Sequence, residues 1–130
     1  MKNQYESPLA SRYASKYMLE LFSSDTRYQT WRRLWVSLAR AEMELGLPIT
    51  GQQVAELEDH ITDIDYDCVS KREKEVRHDV MAHVYAYGQA APSAAGVIHL
   101  GATSCYVGDN TDVIIMDRAL KLIRKRLVSV

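Results

Sequence analysis

Apolar residues recur every three or four positions through much of the chain, which is the pattern of helices with one buried face. The clearest helix begins at a cap, Ser24 or Asp25, and ends at Gly46 and Pro48. Its apolar positions keep helical spacing: Trp31, Leu34, Trp35, Leu38, Ala41 and Leu45. We interpret the two tryptophans, one turn apart, as core residues and not as a ligand cage.

Four further helices follow from the same spacing. A short helix covers residues 15–22, and another follows the capping-box sequence at 50–53. Residues 65–76 form a helix whose mixed charges lie on a solvated face. A helix that opens with residues 77–83 ends before Pro92.

The last predicted helix runs from residue 109 to residue 130 and is strongly apolar. A helix of this kind must pack against further helices of its own chain or of other subunits. We therefore expect the sequence to be a fragment, or a part that requires partners.

Residues 96–112 contain the most distinctive polar pattern of the chain. The stretch opens apolar, turns at Gly101, offers adjacent hydroxyls at Thr103 and Ser104, and turns again at Gly108. Free N–H groups at a helix start, helped by hydroxyls, hold a carboxylate or phosphate without a buried cation. The stretch therefore predicts an anion pocket at a helix entrance.

Plain helix capping is the alternative interpretation of the same stretch. In that interpretation Thr103 or Ser104 caps one helix, Asp109 or Thr111 caps the next, and no ligand binds. Cap residues occur wherever helices begin, so the spacing alone leaves both interpretations open.

Two other segments carry residue types that bind anions or transfer protons. Arg12 and Tyr13 combine a guanidinium with a phenol, a pair that suits phosphate or carboxylate. Arg77, His78 and Asp79 provide an anion-binding group, a titrating imidazole and a carboxylate that orients it. The alternatives are an ordinary surface pair in the first case and a capping aspartate beside a surface histidine in the second.

A metal site is not predicted. His78 and His83 point roughly 140° apart on a helix, whereas the zinc-binding arrangement places two histidines four residues apart on one face. We interpret His83 as a structural residue.

Composition narrows the class of protein. The chain has 130 residues and a formal net charge of −1 with interspersed signs, so it offers no basic face for nucleic acid. No run of about 18 apolar residues is present to span a membrane, and no secretory signal follows Met1. Cys68 and Cys105 are isolated, as is usual for reduced thiols, which indicates the cytosol.

Three segments in their order and spacing, 7–13, 77–83 and 94–112, resemble the N-terminal part of the adenylosuccinate lyases in their animal form. These lyases are a family of the fumarase/aspartase superfamily. The resemblance implies an all-α fold, with a small N-terminal helical domain at 1–108. Residues 109–130 are then the start of the first long helix of a central bundle. Family members form homotetramers whose active sites draw on three subunits.

The reaction implied by the resemblance is a β-elimination that breaks a C–N bond and releases fumarate. Adenylosuccinate gives AMP, and the succinyl-carboxamide ribotide SAICAR gives AICAR, in purine biosynthesis in the cytoplasm. The reaction needs no metal or cofactor. Fixed donors must stabilise charge that builds on a carboxylate, and a general acid must protonate the departing nitrogen.

The resemblance also implies a role for each motif. Arg12 and Tyr13 are expected to contact the nucleotide phosphate. Arg77, His78 and Asp79 are expected to contact other parts of the substrate, and Thr103 and Ser104 the succinyl carboxylates. His78 is the candidate catalytic residue, and His99 supports the pocket. The principal general-acid histidine and the base, a loop serine, belong to later parts of such chains. We therefore expect these 130 residues alone to be inactive.

Two other functions stay open at this point. Another lyase of the superfamily, such as an argininosuccinate lyase or a fumarase, would share the chemistry but would not need a phosphate clamp at Arg12 and Tyr13. A helical assembly module without catalysis would use residues 109–130 as its contact and would bind no ligand at His78 or Thr103.

Overall fold

The computed structural model describes residues 5–130, and all regular structure in that range is helical. Six α-helices follow one another: α1 (Lys16–Leu21), α2 (Ser24–Glu44), α3 (Gly51–Asp59), α4 (Tyr66–Val76), α5 (Asp79–Ala90) and α6 (Ser104–Val128). A short π-helix, Leu9–Tyr13, precedes α1, and a 3-10 turn, Pro92–Ala94, follows α5. The predicted all-α fold class is therefore confirmed.

Helix α2 forms the centre of the main hydrophobic core. It packs against α3 on one side and α6 on another. Trp31 and Trp35 are buried, as predicted, and Leu34 packs against the same core, but the end of the expected stripe is wrong: Ala41 is exposed and Leu45 is 82% exposed. Because α2 has neighbours on two sides, its buried face is wider than one stripe and includes Val36 and Ala39.

Side-chain caps begin the first five α-helices. Ser23 caps α2, one residue earlier than predicted, because its Oγ accepts a hydrogen bond from the N–H of Thr26 at 3.2 Å. The capping box of α3 is confirmed. Thr50 Oγ1 accepts from the Gln53 N–H at 3.2 Å, and Gln53 Oε1 accepts from the Thr50 N–H at 2.9 Å.

Helix α6 begins at Ser104 and not near Asp109, so the predicted start is wrong. Gly108 and Asp109 lie inside the helix, and the second turn predicted at Gly108 is absent. The reason is a buried stripe that passes through this region without interruption: Val107, Thr111, Ile115 and Ala119. The division into domains at 108/109 does not coincide with a helix start, and it stays a prediction.

The C-terminal half of α6 carries large apolar side chains on its surface. Leu120 and Leu127 are 64% and 71% exposed, and Ile123 is also exposed. Leu21 packs against the middle of α6, at Ile115. None of the helices within residues 5–130 is long and apolar enough to cross a membrane.

Candidate functional site

The entrances of α5 and α6 open on one cavity beside α2, with a volume of about 280 Å³. Helix α2 contributes Arg27, Tyr28 and Trp31 to the lining, and α5 contributes Asp79 and Val80. Helix α6 contributes Ser104, Cys105, Gly108 and Asp109. Two segments that the sequence singled out separately therefore meet, since Asp79 and Ser104 share this cavity.

His78 is the N-cap of α5. Its Nδ1 accepts a hydrogen bond from the N–H of Met81 at 3.3 Å. A neutral imidazole that accepts at Nδ1 carries its proton on Nε2, so a donor is left for a ligand. Asp79 does not cap the helix in the expected way, because its Oδ1 accepts from the adjacent N–H of Val80 at 2.7 Å. The alternative of a capping aspartate is thus wrong: the histidine takes that position.

His99 lies in the loop before α6, near His78. Its Nδ1 accepts a hydrogen bond from Trp35 Nε1 at 2.9 Å. Burial, and then the neighbouring His78, lower the pKa of His99. Because Nδ1 accepts, a neutral ring of His99 carries its proton on Nε2. The backbone of His99 has a φ of +66°, a left-handed conformation that is costly for a non-glycine residue.

Helix α6 is the only one of the six α-helices within residues 5–130 whose N-cap side chain makes no capping hydrogen bond. Thr103 occupies the N-cap position, but its hydroxyl does not bond to the helix. Asp109 and Thr111 lie inside α6 and cap nothing. The side-chain caps that the alternative interpretation predicts are therefore absent, although Thr103 does occupy an N-cap position. The first N–H groups of α6 lack the side-chain acceptor that closes the other helix entrances.

Arg27 adds a cation to the cavity wall that the sequence did not indicate. Its two terminal guanidinium nitrogens both donate to Asp112 Oδ1, at 2.7 and 2.8 Å. Further along, the Tyr106 hydroxyl donates to the Leu34 carbonyl at 3.0 Å, so α2 and α6 run antiparallel. An arginine on an amphipathic helix resembles a solvated residue, and its partner is 85 positions away. No local signal could have found it.

His83 lies behind the cavity wall. Its ring stacks on Tyr28 with centroids 3.9 Å apart, and it is 3% exposed. Burial and the nearby Arg32 guanidinium lower the pKa of His83 to about 4, against an opposing effect of Asp79. This placement agrees with a structural role.

Arg12 and Tyr13 lie at the opposite end of α6. Tyr13 lines a groove with Leu127 and other residues of the last turns of that helix. At a rise of about 1.5 Å per residue, Leu127 is about 35 Å from Ser104 along the helix axis. Within one chain, this pair therefore does not reach the cavity.

Arg77 is also separate from the cavity. It ends α4 with a left-handed φ of +52°. Its side chain lines an outer groove with Ser70, Glu73 and Lys74. Within residues 5–130, no three side chains of metal-ligating type form a group that could hold an ion.

Comparison with known proteins supports the resemblance found in the motifs, although no family model matches the chain. The chain is 51% identical to the adenylosuccinate lyase of Schizosaccharomyces pombe, an alignment that covers 97% of this chain and 27% of that protein. It is 50% identical to the Saccharomyces cerevisiae adenylosuccinate lyase, with 98% and 27% covered. For the Schistosoma mansoni adenylosuccinate lyase the identity is 44%, with 92% and 25% covered.

These relatives confirm the similarity to adenylosuccinate lyases over nearly the whole chain, in fungi as well as in an animal. The chain spans about a quarter of the length of the curated relatives that it matches.

Proposed function

We propose that this chain is part of an adenylosuccinate lyase of purine biosynthesis. The enzyme eliminates fumarate from adenylosuccinate to give AMP, and from SAICAR to give AICAR. The observation that carries the proposal is the uncapped entrance of α6, at Thr103 and Ser104, on the same cavity as Asp79 of α5. The similarity to three adenylosuccinate lyases supports it.

The α6 entrance has the chemistry of a carboxylate site. Removing a proton from the carbon beside a succinyl carboxylate builds negative charge on that carboxylate, and donors already in place lower the barrier. The hydroxyls of Thr103 and Ser104, with the first N–H groups of the helix, supply such donors. Arg27 lines the same wall, where its guanidinium is paired with the carboxylate of Asp112.

His78 is the candidate to assist the acid/base step. When the C–N bond breaks, its electron pair stays on the nitrogen, which must gain a proton, while the carbon beside the carboxylate loses one. The hydrogen bond to Met81 leaves the Nε2–H of a neutral His78 free to donate. Asp79 and Arg77 are further substrate contacts in this proposal, and His99 supports the pocket. The principal acid and base come from parts of the protein outside these 130 residues.

Assembly brings Arg12 and Tyr13 to the nucleotide phosphate of another subunit's site. The separation of about 35 Å along α6 requires this if both segments serve one kind of site. The exposed apolar side chains of Leu120, Ile123 and Leu127 are suited to helix packing between subunits. We propose a cytoplasmic homotetramer whose active sites each combine three subunits.

The test is a substrate comparison on the full-length protein. Adenylosuccinate, argininosuccinate and malate are supplied in turn, and fumarate formation is followed. We expect turnover of adenylosuccinate alone, and none by the isolated 130-residue chain. Preference for another substrate would assign the protein to a different lyase of the superfamily. If AMP and fumarate leave the NMR signals of His78 and Thr103 unmoved, the chain is an assembly module instead.

A further inference from the structure

Gly108 has no evident structural reason to be glycine. It lies inside α6, where its backbone does not adopt a positive φ, so no turn requires it. A glycine within a helix is less stable than an alanine, because it loses more conformational freedom on folding.

Close packing does not explain Gly108 either. A Cβ built on this residue meets no atom within 4 Å. Gly88 shows the contrast, because a Cβ there would lie 3.0 Å from the Cβ of Ala95. Gly88 is glycine because α5 must approach a neighbouring segment, whereas the space beside Gly108 is open.

That open space is the cavity of the candidate site. Gly108 lines it together with Ser104, which lies one helical turn earlier on the same face of α6. Trp31 of α2 lines the same cavity. Although Trp31 is only 3% exposed, its indole N–H is buried without a hydrogen-bond partner among residues 5–130. The residue that carries this unpaired donor therefore forms part of the cavity wall.

We infer that Gly108 sets the size of the ligand that the cavity accepts. A carboxylate held at Ser104 places the carbon chain that bears it over Gly108, in space that any side chain would occupy. The ligand is a four-carbon dicarboxylate unit, the succinyl end of the substrate, so the inference rests on the proposed function. Gly108 is thus a specificity-determining residue: it makes α6 less stable than an alanine would, and it leaves space for the ligand.

The experiment substitutes Gly108→Ala and Gly108→Val in the full-length protein. We expect KM for adenylosuccinate to rise about tenfold or more with alanine, and further with valine, because each added group occupies ligand space. The melting temperature of the alanine variant should stay the same or rise. Binding of succinate, measured by calorimetry, should weaken in parallel.

Gly51→Ala is the matched control. Gly51 begins α3, a Cβ there also meets nothing within 4 Å, and the residue does not line the cavity. Its KM and succinate affinity should equal those of the wild type.

The outcomes separate this inference from the proposed function. An active wild type with unchanged KM and succinate affinity in both Gly108 variants overturns the role of Gly108 and leaves the lyase standing. Loss of the tetramer in the alanine variant would mean that another subunit occupies the space, and also overturns it. If the wild type binds succinate but does not turn over adenylosuccinate, the proposed lyase activity is overturned. The role of Gly108 still holds in that case if the variants lose succinate binding. If the wild type shows neither turnover of adenylosuccinate nor binding of succinate, both the proposed function and the role of Gly108 are overturned.

Discussion

Two of the α-helices within residues 5–130, α3 and α6, have a threonine at the N-cap position, and the two entrances differ. At α3, Thr50 and Gln53 exchange side-chain and backbone hydrogen bonds in a complete capping box. At α6, Thr103 takes the same N-cap position with an extended backbone, yet its hydroxyl makes no bond to the helix. The first entrance is closed by its own residues and the second is left open.

The difference shows where local structure stops explaining the sequence. Gln53 lies three residues after Thr50, as a capping box requires, whereas the same position after Thr103 is Tyr106, whose hydroxyl donates to the Leu34 carbonyl on α2. The position that holds the capping glutamine in α3 thus holds, in α6, a tyrosine that fixes the helix against α2. An entrance kept open beside a cavity is available to a ligand in a way that α3 is not.

The largest expected effect is on the open entrance. We predict that Ser104→Ala in the full-length protein lowers kcat/KM for adenylosuccinate about 100-fold, because the proposed site then loses a donor to the charged carboxylate. Thr50→Ala should leave kcat/KM unchanged. Steady-state kinetics of both variants provides the measurement, and equal effects at the two positions would remove the distinction between the entrances.

A second prediction concerns the segment that lies far from the open entrance. In the proposed site Arg12 contacts the phosphate and His78 donates a proton, so Arg12→Ala and His78→Ala should each reduce adenylosuccinate turnover about tenfold or more. If these residues serve one site from different subunits, mixing the two variants after dissociation restores part of the activity. Each variant mixed with itself is the control. A mixture no more active than its components would place both residues in the same subunit's site.

The sequence predicted local features well and long-range ones poorly. The capping box at Thr50 and the helical fold follow from patterns within a few residues. The start of α6 does not, because Gly101 and Gly108 look alike in sequence, and the buried stripe against the rest of the fold decides that only Gly101 turns, with a φ of +65°.

In the candidate site, too, the residue types could be predicted from local sequence, whereas their arrangement depends on long-range packing. The motifs predict Asp79 and Ser104 as anion-site residues, but only the packing of α5 and α6 beside α2 places both residues on one cavity. Arg27 has its partner 85 residues away, so no spacing rule finds it. The distance of Arg12 from this cavity depends on where α6 begins, and the predicted start at residue 109 is five residues too late.

A third prediction tests the wall behind the open entrance. The pKa of His83 is lowered from 6.5 to about 4 in the fold, so between these values the unfolded chain binds a proton that the folded chain does not. Stability is therefore complete above about pH 6.5 and falls as the pH drops toward 4, by at most about 1.4 kcal/mol per pH unit. His83→Phe keeps a ring stacked on Tyr28 and should flatten this decline. Unfolding of both proteins across the pH range provides the measurement, and identical slopes would contradict it.

The smallest expected effect returns to the two threonines. Thr50→Ala removes the acceptor of the Gln53 N–H and should destabilise the start of α3 by about 1 kcal/mol, so that this amide exchanges about fivefold faster with solvent deuterium. Thr103→Ala should leave exchange at the start of α6 unchanged, because the Tyr106 N–H bonds to the backbone carbonyl of Thr103 and not to its side chain. Faster exchange in both variants would show that Thr103 caps its helix in solution. An unchanged amide combined with lost turnover would show that the hydroxyl of Thr103 serves the substrate and not the helix.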